Sequence, residues 1–271
     1  MKRNAIALKL AAVALCLSLI SGIASSAASN QSAIEKCIGA FEAAEPIFAE
    51  LQEFVRTEIE GFDDDDGEYD EEEAEAMIVK LREYADQLEK SISGLNGFSR
   101  DMDTGEGKTV AAVREYLAML KNICGDMSEV IAYSIEFTDA LKPMSEDDKE
   151  FESYGDFANN LYLITSESLE LLREIKPPSY LAITHGDVIA RIAEFRDFAA
   201  DFQWATYLDD PLRIFSCEYR MDRIVVMFDK CAENINSDLL LQLKQAKRRL
   251  DESISTLHSE LSAYFALLKS Q

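Results

Sequence analysis

The chain has 271 residues, of which 51 are acidic and 27 are basic, so its formal net charge is −24. A surface of this charge is repelled by nucleic acid and by anionic lipid headgroups, which argues against both as partners and favours cations or basic protein surfaces. Hydrophobic residues make up 48% of the chain, enough to bury a substantial core in one domain or two.

Residues 1–28 have the features of a secretory signal peptide. Lys2 and Arg3 precede an apolar run of about 15 residues, shorter than the roughly 20 that a membrane-crossing helix needs. Small residues follow, and cleavage after Ala28 fits best; an uncleaved N-terminal anchor is the alternative. Leu15 stands before Cys16 where a lipoprotein signal needs a small residue. We therefore expect an extracytoplasmic protein, periplasmic or secreted, without a lipid anchor.

Apolar residues recur at steps of three and four through the rest of the chain and predict an all-α protein. Helix one covers about residues 30–61, and Pro46 inside it predicts a kink or a break near Ala43. Helix two begins after an acidic segment and is expected to return antiparallel to helix one. Helix three starts at Lys108 and is expected to end near Leu141.

Prolines and capping residues mark the later helices. Pro143 closes helix three, and Ser145 with the acids after it predicts the start of helix four, because its hydroxyl can accept free amide hydrogens. Pro177 and Pro178 end helix four, and helix five covers about residues 179–208. Asp209-Asp210-Pro211 then supplies a cap and a proline at the first helical position of another helix.

The last segment, residues 211–270, allows two interpretations. Its apolar stripe stays in phase throughout, which favours one long helix. Residues 234–238 (Asn-Ile-Asn-Ser-Asp) are poor helix formers with a candidate cap, and we expect a break there that leaves helices at 211–235 and 238–269.

The predicted fold is therefore an elongated antiparallel bundle of six or seven long amphipathic helices. The expected division is a signal peptide at 1–28, a first helical part at 29–143 and a second at 144–271. The second part is either separate from the first or continuous with it as one domain.

The acidic segment between helices one and two predicts calcium binding. Counting Gly67 as the sixth position of a calcium loop places oxygen ligands near the positions that an EF-hand uses, with Glu68 acting through its carbonyl. The candidate ligands are Asp63, Asp64, Asp66, Glu68, Asp70 and Glu73. Phe62 occupies the first position, where the motif has Asp. Calcium is the one cofactor that the sequence suggests; the alternative is a solvated turn whose acids cap helix two.

Four cysteines follow the signal peptide: Cys37, Cys124, Cys217 and Cys231. An even number outside the cytoplasm allows two disulfides. Strict up-and-down helix order places Cys37 and Cys231 near the same end, which predicts a bond between them. Free, buried thiols that act as small apolar side chains are the alternative.

The junction at residues 175–185 carries Pro177-Pro178 and then His185. It resembles uncharacterised secreted helical proteins of bacteria, in which a helix ends at Pro-Pro and the next helix carries a His soon after. The resemblance covers roughly a third of the chain. It implies an extracytoplasmic helical bundle and no activity.

His185 lies on the apolar face of helix five and predicts a buried, hydrogen-bonded histidine rather than a catalytic one. The basic run of Lys244, Lys247, Arg248 and Arg249 predicts ion pairs with acids on a neighbouring helix, with a partner-binding patch as the alternative. The aromatic residues of helix five, namely Phe195, Phe198, Phe202, Trp204 and Tyr207, predict core and helix-end packing.

We expect a non-enzymatic binding or scaffold protein of the cell envelope, with a protein as its partner and no catalytic residues. One alternative is a calcium-responsive helical module that uses the loop at 63–73. The other is a small-molecule binder or enzyme with a pocket inside the bundle near His185. The sequence leaves the oligomeric state open.

Overall fold

The computed structural model describes residues 30–61, 71–98, 105–145 and 151–270. Within these ranges the chain forms helices and no β-strand, so the all-α prediction is confirmed. The predicted signal peptide, residues 1–28, lies outside the described residues. The described α-helices are α1 (Asn30–Gly61), α2 (Glu71–Leu95), α3 (Gly105–Ser145), α4 (Tyr154–Glu174), α5 (Ala182–Tyr207), α6 (Pro211–Arg249) and α7 (Ser255–Lys269).

Two short elements complete the helical order. A 3₁₀ turn at Asn96–Phe98 follows α2, and a π-helical segment at Leu250–Ile254 joins α6 to α7. In the described ranges, none of the helices combines the length and the apolar character that crossing a membrane requires.

The chain divides into two compact units that are discontinuous in sequence. Of the described residues, the first unit comprises those within Met1–Glu68, Ala76–Ser128 and Leu243–Gln271, and the second comprises those within Tyr69–Glu75 and Glu129–Gln242. This division differs from the consecutive parts predicted at 29–143 and 144–271. It differs because the end of the chain packs with α1, where Phe265 of α7 lies 5.4 Å from Phe41, measured between ring centroids.

The first unit is built around the apolar face of α1. Phe41, Leu51 and Val55 on this face are buried. The contacts between α1 and α7 join later residues of one helix to earlier residues of the other. Lys269 at the end of α7 pairs with Glu42, and the Gln52 side-chain amide, further along α1, donates a hydrogen bond of 3.2 Å to the Ser255 hydroxyl at the start of α7. The two helices are therefore antiparallel within this unit.

Two buried clusters lie among the described residues of the second unit. One gathers around Leu172, Val188 and Ile192, and the other around Phe198 and Phe202. The contacts between α4 and α5 again join the start of one helix to the end of the other. The Gln203 amide on α5 donates to Asn159 on α4 at 2.9 Å, while the His185 ring near the start of α5 contacts the Leu172 carbonyl near the end of α4. Helices α4 and α5 are therefore antiparallel.

Two proline-based predictions of helix ends differ from the structure. Helix α1 continues through Pro46, because Ala44, Ile47 and Phe48 on both sides of the proline are buried and hold the helix in place. Of the kink or break predicted near Ala43, the break is therefore absent, because the helix is continuous from Asn30 to Gly61. Helix α3 continues through Pro143 and ends at Ser145 rather than at Leu141.

Ser153, not Ser145, caps helix α4. Ser145 is the last residue of α3, so it does not start a helix. Ser153 has the extended backbone of a cap, with φ −149° and ψ 158°. Its hydroxyl oxygen accepts a hydrogen bond of 3.1 Å from the Asp156 amide, which satisfies one of the free donors of the first turn. At the other junction the prediction is confirmed: Asp210 accepts hydrogen bonds from the backbone of α6.

Helix α6 runs without a break through residues 234–238, so the predicted split into helices at 211–235 and 238–269 is wrong. Ile235 and Leu239 are buried, and the Thr184 hydroxyl donates a hydrogen bond of 2.6 Å to the Asp238 carboxylate. Burial of the apolar stripe outweighs the poor helix propensity of the asparagines, which is worth less than about 1 kcal/mol per residue. The irregularity lies instead in the π segment at Leu250–Ile254.

Asn236 tests the continuity of α6. It is exposed within the helix, and Asn236→Pro would remove a backbone donor and place the ring against the preceding turn, so we expect the free energy of unfolding to fall by about 3 kcal/mol. The control Asn236→Ala should leave it unchanged or raise it by up to about 0.7 kcal/mol. Urea unfolding measures both. A proline variant as stable as the parent would contradict the continuous helix.

Candidate functional site

Most of the predicted calcium ligands lie outside the described residues. These are Asp63, Asp64, Asp66, Glu68 and Asp70. Glu73 is described and lies exposed in the first turns of α2. Among the side chains that the structure describes, no group of three or more His, Cys, Asp or Glu residues is placed to hold a metal ion. The calcium site stays a prediction.

The four described cysteines are free thiols, all of them buried. Cys37, at 0% exposure, and Cys231, at 8%, are free thiols at core positions, so the disulfide predicted between them is not present in the structure. Burial raises the pKa of the Cys37 thiol, and likewise that of Cys124, to about 12. The reactive thiolate is therefore scarce at neutral pH.

His185 is a buried core residue whose two ring nitrogens both have partners. Its exposure is 4%. Nε2 lies 3.0 Å from the carbonyl oxygen of Leu172, which can only accept, so Nε2 carries the proton. Nδ1 then accepts from the Tyr133 hydroxyl at 3.1 Å. The prediction of a buried, hydrogen-bonded histidine is confirmed.

Burial of His185 favours the neutral ring. Desolvation lowers the pKa of His185 below its ordinary value of 6.5, and the hydrogen bond to Leu172 offsets part of this effect. Burial also raises the pKa of the Tyr133 hydroxyl, which therefore remains a donor. With both ring nitrogens occupied, His185 has no free atom for accepting a substrate proton.

A second tyrosine–histidine pair occurs in the first unit. The Tyr116 hydroxyl lies 2.9 Å from Nδ1 of His258, and the His258 ring stacks on Phe48 with 4.3 Å between centroids. Tyr116 is fully buried, whereas His258 is half-buried. Desolvation lowers the pKa of His258, and the negative charge of Glu45 opposes that shift.

Both tyrosines come from α3, and the sequence interpretation did not single out either of them. Tyr116 and Tyr133 lie on the buried side of that helix, and each meets the one histidine of its unit. A buried tyrosine hydroxyl needs a hydrogen-bond partner. The presence of a tyrosine on the apolar side of α3 was therefore the sequence signal from which each pair could have been predicted. The two pairs lock neighbouring helices together within each unit.

The ion pair predicted between the basic run at the end of α6 and a neighbouring helix is present at Arg249, whereas Arg248 pairs with an acid four residues further along its own segment. Arg249 contacts the Asp126 carboxylate on α3 at 2.7 Å, and Arg248 contacts Glu252 at 3.1 Å. All four of these side chains are about half exposed or more, so each pair adds at most about 1 kcal/mol to stability.

A surface cleft of about 350 Å³ lies beside this run in the first unit. Its walls come from α1 and from the region of the π segment, and its lining includes Glu53, Arg56, Lys247 and Asp251. Two acids and two bases balance one another there, and Arg56 already pairs with Glu53. The cleft therefore has no net charge of its own with which to select a charged ligand.

The aromatic residues of α5, for which the sequence predicts core and helix-end packing, are buried in the middle of the helix and exposed at its end. Phe198 and Phe202 are buried at 0% and 1% exposure, but Trp204 is 61% exposed and Tyr207 is 79% exposed. The apolar exposure continues across the turn into α6. We call the following set the turn patch: Trp204, Tyr207, Leu208, Leu212, Phe215 and Tyr219, exposed by 55% to 82%.

A tight turn connects the part of this patch on α5 to the part on α6. The Asp210 amide donates to the Ala205 carbonyl, and the Asp209 amide donates to the Thr206 carbonyl, both at 3.1 Å. These two bonds define a Schellman motif, in which the residue at Asp209 takes the left-handed conformation; its φ is 49°. Asp210 then caps α6 through its carboxylate. Three residues thus join two helices, and the backbone amides of all three donate hydrogen bonds to carbonyls of α5.

Comparison with protein-family models, with curated proteins and with solved structures finds no match to this chain. The function of the chain is therefore inferred from its own residues.

The two tyrosine hydroxyls test the hydrogen bonds. Tyr133→Phe leaves Nδ1 of a buried histidine without a donor, and we expect the free energy of unfolding to fall by about 1–3 kcal/mol. Tyr116→Phe is the matched control, because it removes the same atom from the same helix while its partner His258 is within reach of water. The control should cost about 0.5–1.5 kcal/mol. Denaturant unfolding measures both, and a larger loss in the control would contradict this account.

The lowered pKa of His185 predicts a pH dependence. A folded-state pKa below 6.5 means that the contribution of the neutral ring to stability is fully present above about pH 6.5 and is lost as the pH falls below it toward the folded pKa. We expect the difference in unfolding free energy between the parent and His185→Gln to be constant above about pH 7 and to shrink toward pH 5.

Taking this difference cancels the carboxylates, which are common to both proteins. A difference that grows as the pH falls would show that the pKa is raised instead.

Proposed function

We propose that this chain is a non-enzymatic, extracytoplasmic protein of the cell envelope that binds a protein partner through the turn patch. Its helices pack in antiparallel order, and α5 and α6 present this patch. The observation that carries the proposal is the exposure of six large apolar side chains at the end of α5, in the turn that follows and at the start of α6. The secretory features of residues 1–28 support the compartment.

The size and composition of the patch are those of a binding surface. Its four aromatic side chains, at about 150–250 Å² each when fully exposed, offer roughly 500–600 Å² in total at the observed exposures. The largest apolar patch on a typical monomer covers about 300–600 Å² and is often functional. Trp, Tyr and Phe are also the residues enriched in protein interfaces.

The turn makes the patch a preorganised surface. The Schellman motif and the Asp210 cap provide acceptors for backbone amides between α5 and α6. The rings of Trp204 and Tyr207 meet edge to face with 5.8 Å between their centroids. Beneath them, Phe198 and Phe202 anchor α5 in the core. A fixed surface loses little conformational entropy on binding, which favours affinity.

The buried groups support binding rather than catalysis. The described cysteines are buried, and the pKa of two of them is raised to about 12. His185 has both ring nitrogens bonded. A general base or nucleophile needs a reachable atom in the right protonation state, and these groups do not offer one.

Site-specific photocrosslinking in the producing cells tests the proposal. A photoreactive phenylalanine analogue at position 215 should give a discrete crosslinked species after irradiation. Position 183 is the matched control, because Ile183 is 82% exposed near the start of α5 and lies outside the patch. No crosslink at position 215, or equal crosslinking at both positions, would overturn the proposal.

A further inference from the structure

We infer that the partner bound at the turn patch is a second copy of this chain, joined about a two-fold axis through the outer face of α6. This inference rests on the proposed function and names its partner. Four observations support it: the spacing of the exposed residues, their area, the charge of α6, and the position of one aspartate.

Helix α6 carries apolar residues on two faces in its first half. Ile214, Cys217 and Met221 face the core of the second unit. Leu212, Phe215, Tyr219 and Val226 are exposed by 82%, 70%, 71% and 52%. The exposed residues follow one another at steps of three, four and seven, which is the spacing of a coiled-coil seam. Such a seam fits another helix better than it fits a flat surface.

The exposed area matches that of a stable dimer. The aromatic part of the turn patch offers roughly 500–600 Å², and Leu208, Leu212 and Val226 add further apolar surface. A specific interface of standard size buries about 800 Å² on each partner. An isologous contact uses the same patch on both copies, so one patch of this size on each chain is sufficient.

The charge of α6 removes the main obstacle to self-association. A chain with net charge −24 repels its own copies. Residues 211–230 are different: they hold four basic and three acidic side chains, a net charge of +1. The whole of α6 has eight basic and five acidic side chains, whereas each of the other described α-helices is neutral or negative by the same count. The apolar seam thus lies on the least acidic helix described.

The position of Asp222 favours an antiparallel pair. Asp222 lies within the seam, three residues after Tyr219. In a parallel pair of α6 helices the two Asp222 carboxylates would face each other, which is unfavourable. A two-fold axis near Tyr219 in an antiparallel pair separates them and places Leu212 of one copy opposite Val226 of the other.

The acids of the turn argue against a lipid surface as the occupant. Asp209 and Asp210 stand between Leu208 and Leu212, at the tip that would enter a bilayer first. Placing carboxylates in the apolar part of a membrane is costly. A protein surface can instead leave them at the wet rim of an interface.

Sedimentation equilibrium of the purified protein over about 1–100 μM tests the inference. We expect twice the chain mass at the upper concentrations. Leu212→Lys with Tyr219→Lys should raise the dissociation constant at least about 100-fold. The matched control Ile183→Lys should leave it unchanged, because Ile183 has the same 82% exposure as Leu212 and a similar place at the start of its helix. Circular dichroism shows whether each variant is folded.

The crosslinked species formed at position 215 separates failure of this inference from failure of the proposed function. A species of twice the chain mass that contains only this chain supports the dimer. A monomer at 100 μM with a crosslink to a different protein would overturn the dimer and leave the proposed function standing. The dimer would also be overturned if the double variant dimerised as tightly as the parent, or if Ile183→Lys weakened dimerisation as much as the double variant does. Flotation of the protein with phosphatidylcholine vesicles, lost in the double variant, would identify a lipid surface and overturn both.

Discussion

Burial of one apolar stripe per helix is the constraint on which this structure depends. Its strength is clearest in α6, where Asn234 and Asn236 flank Ile235 and the helix nevertheless continues. Fully burying an aliphatic side chain contributes about 1.5–3 kcal/mol, several times the propensity cost of an asparagine in a helix. The same balance carries α1 through Pro46, where buried neighbours on both sides outweigh one lost backbone hydrogen bond.

The sequence was sufficient to predict the class of fold and most of its helices, because their apolar stripes are long and regular. The predicted face of α5 is an example: Val188, Ile192 and Phe202 are all buried. Helix ends were harder to predict. Ser145 and Ser153 have the same side chain, and only the backbone geometry decides which hydroxyl meets a free amide. The discontinuous units follow from contacts between distant segments, which periodicity along the chain does not report.

The candidate site was harder still to predict from sequence. Trp204 and Tyr207 continue the aromatic sequence of α5, so they were included in the predicted core and helix-end packing. The turn at Asp209 ends the helix, and both side chains are exposed. On α6 the sequence interpretation followed the inner stripe. The outer residues Leu212, Phe215 and Tyr219 are also regularly spaced, but a periodic pattern does not distinguish a buried face from an exposed one when a helix has both.

The tyrosine–histidine pairs give each unit its own reporter. The sequence contains two histidines, and one belongs to each unit, His258 to the first and His185 to the second. The imidazole proton resonances of the folded chain should therefore form two sets that can be assigned by a single substitution. Loss of one set before the other would show that one unit opens while the other stays folded, so the two histidines report on the cooperativity between the two units.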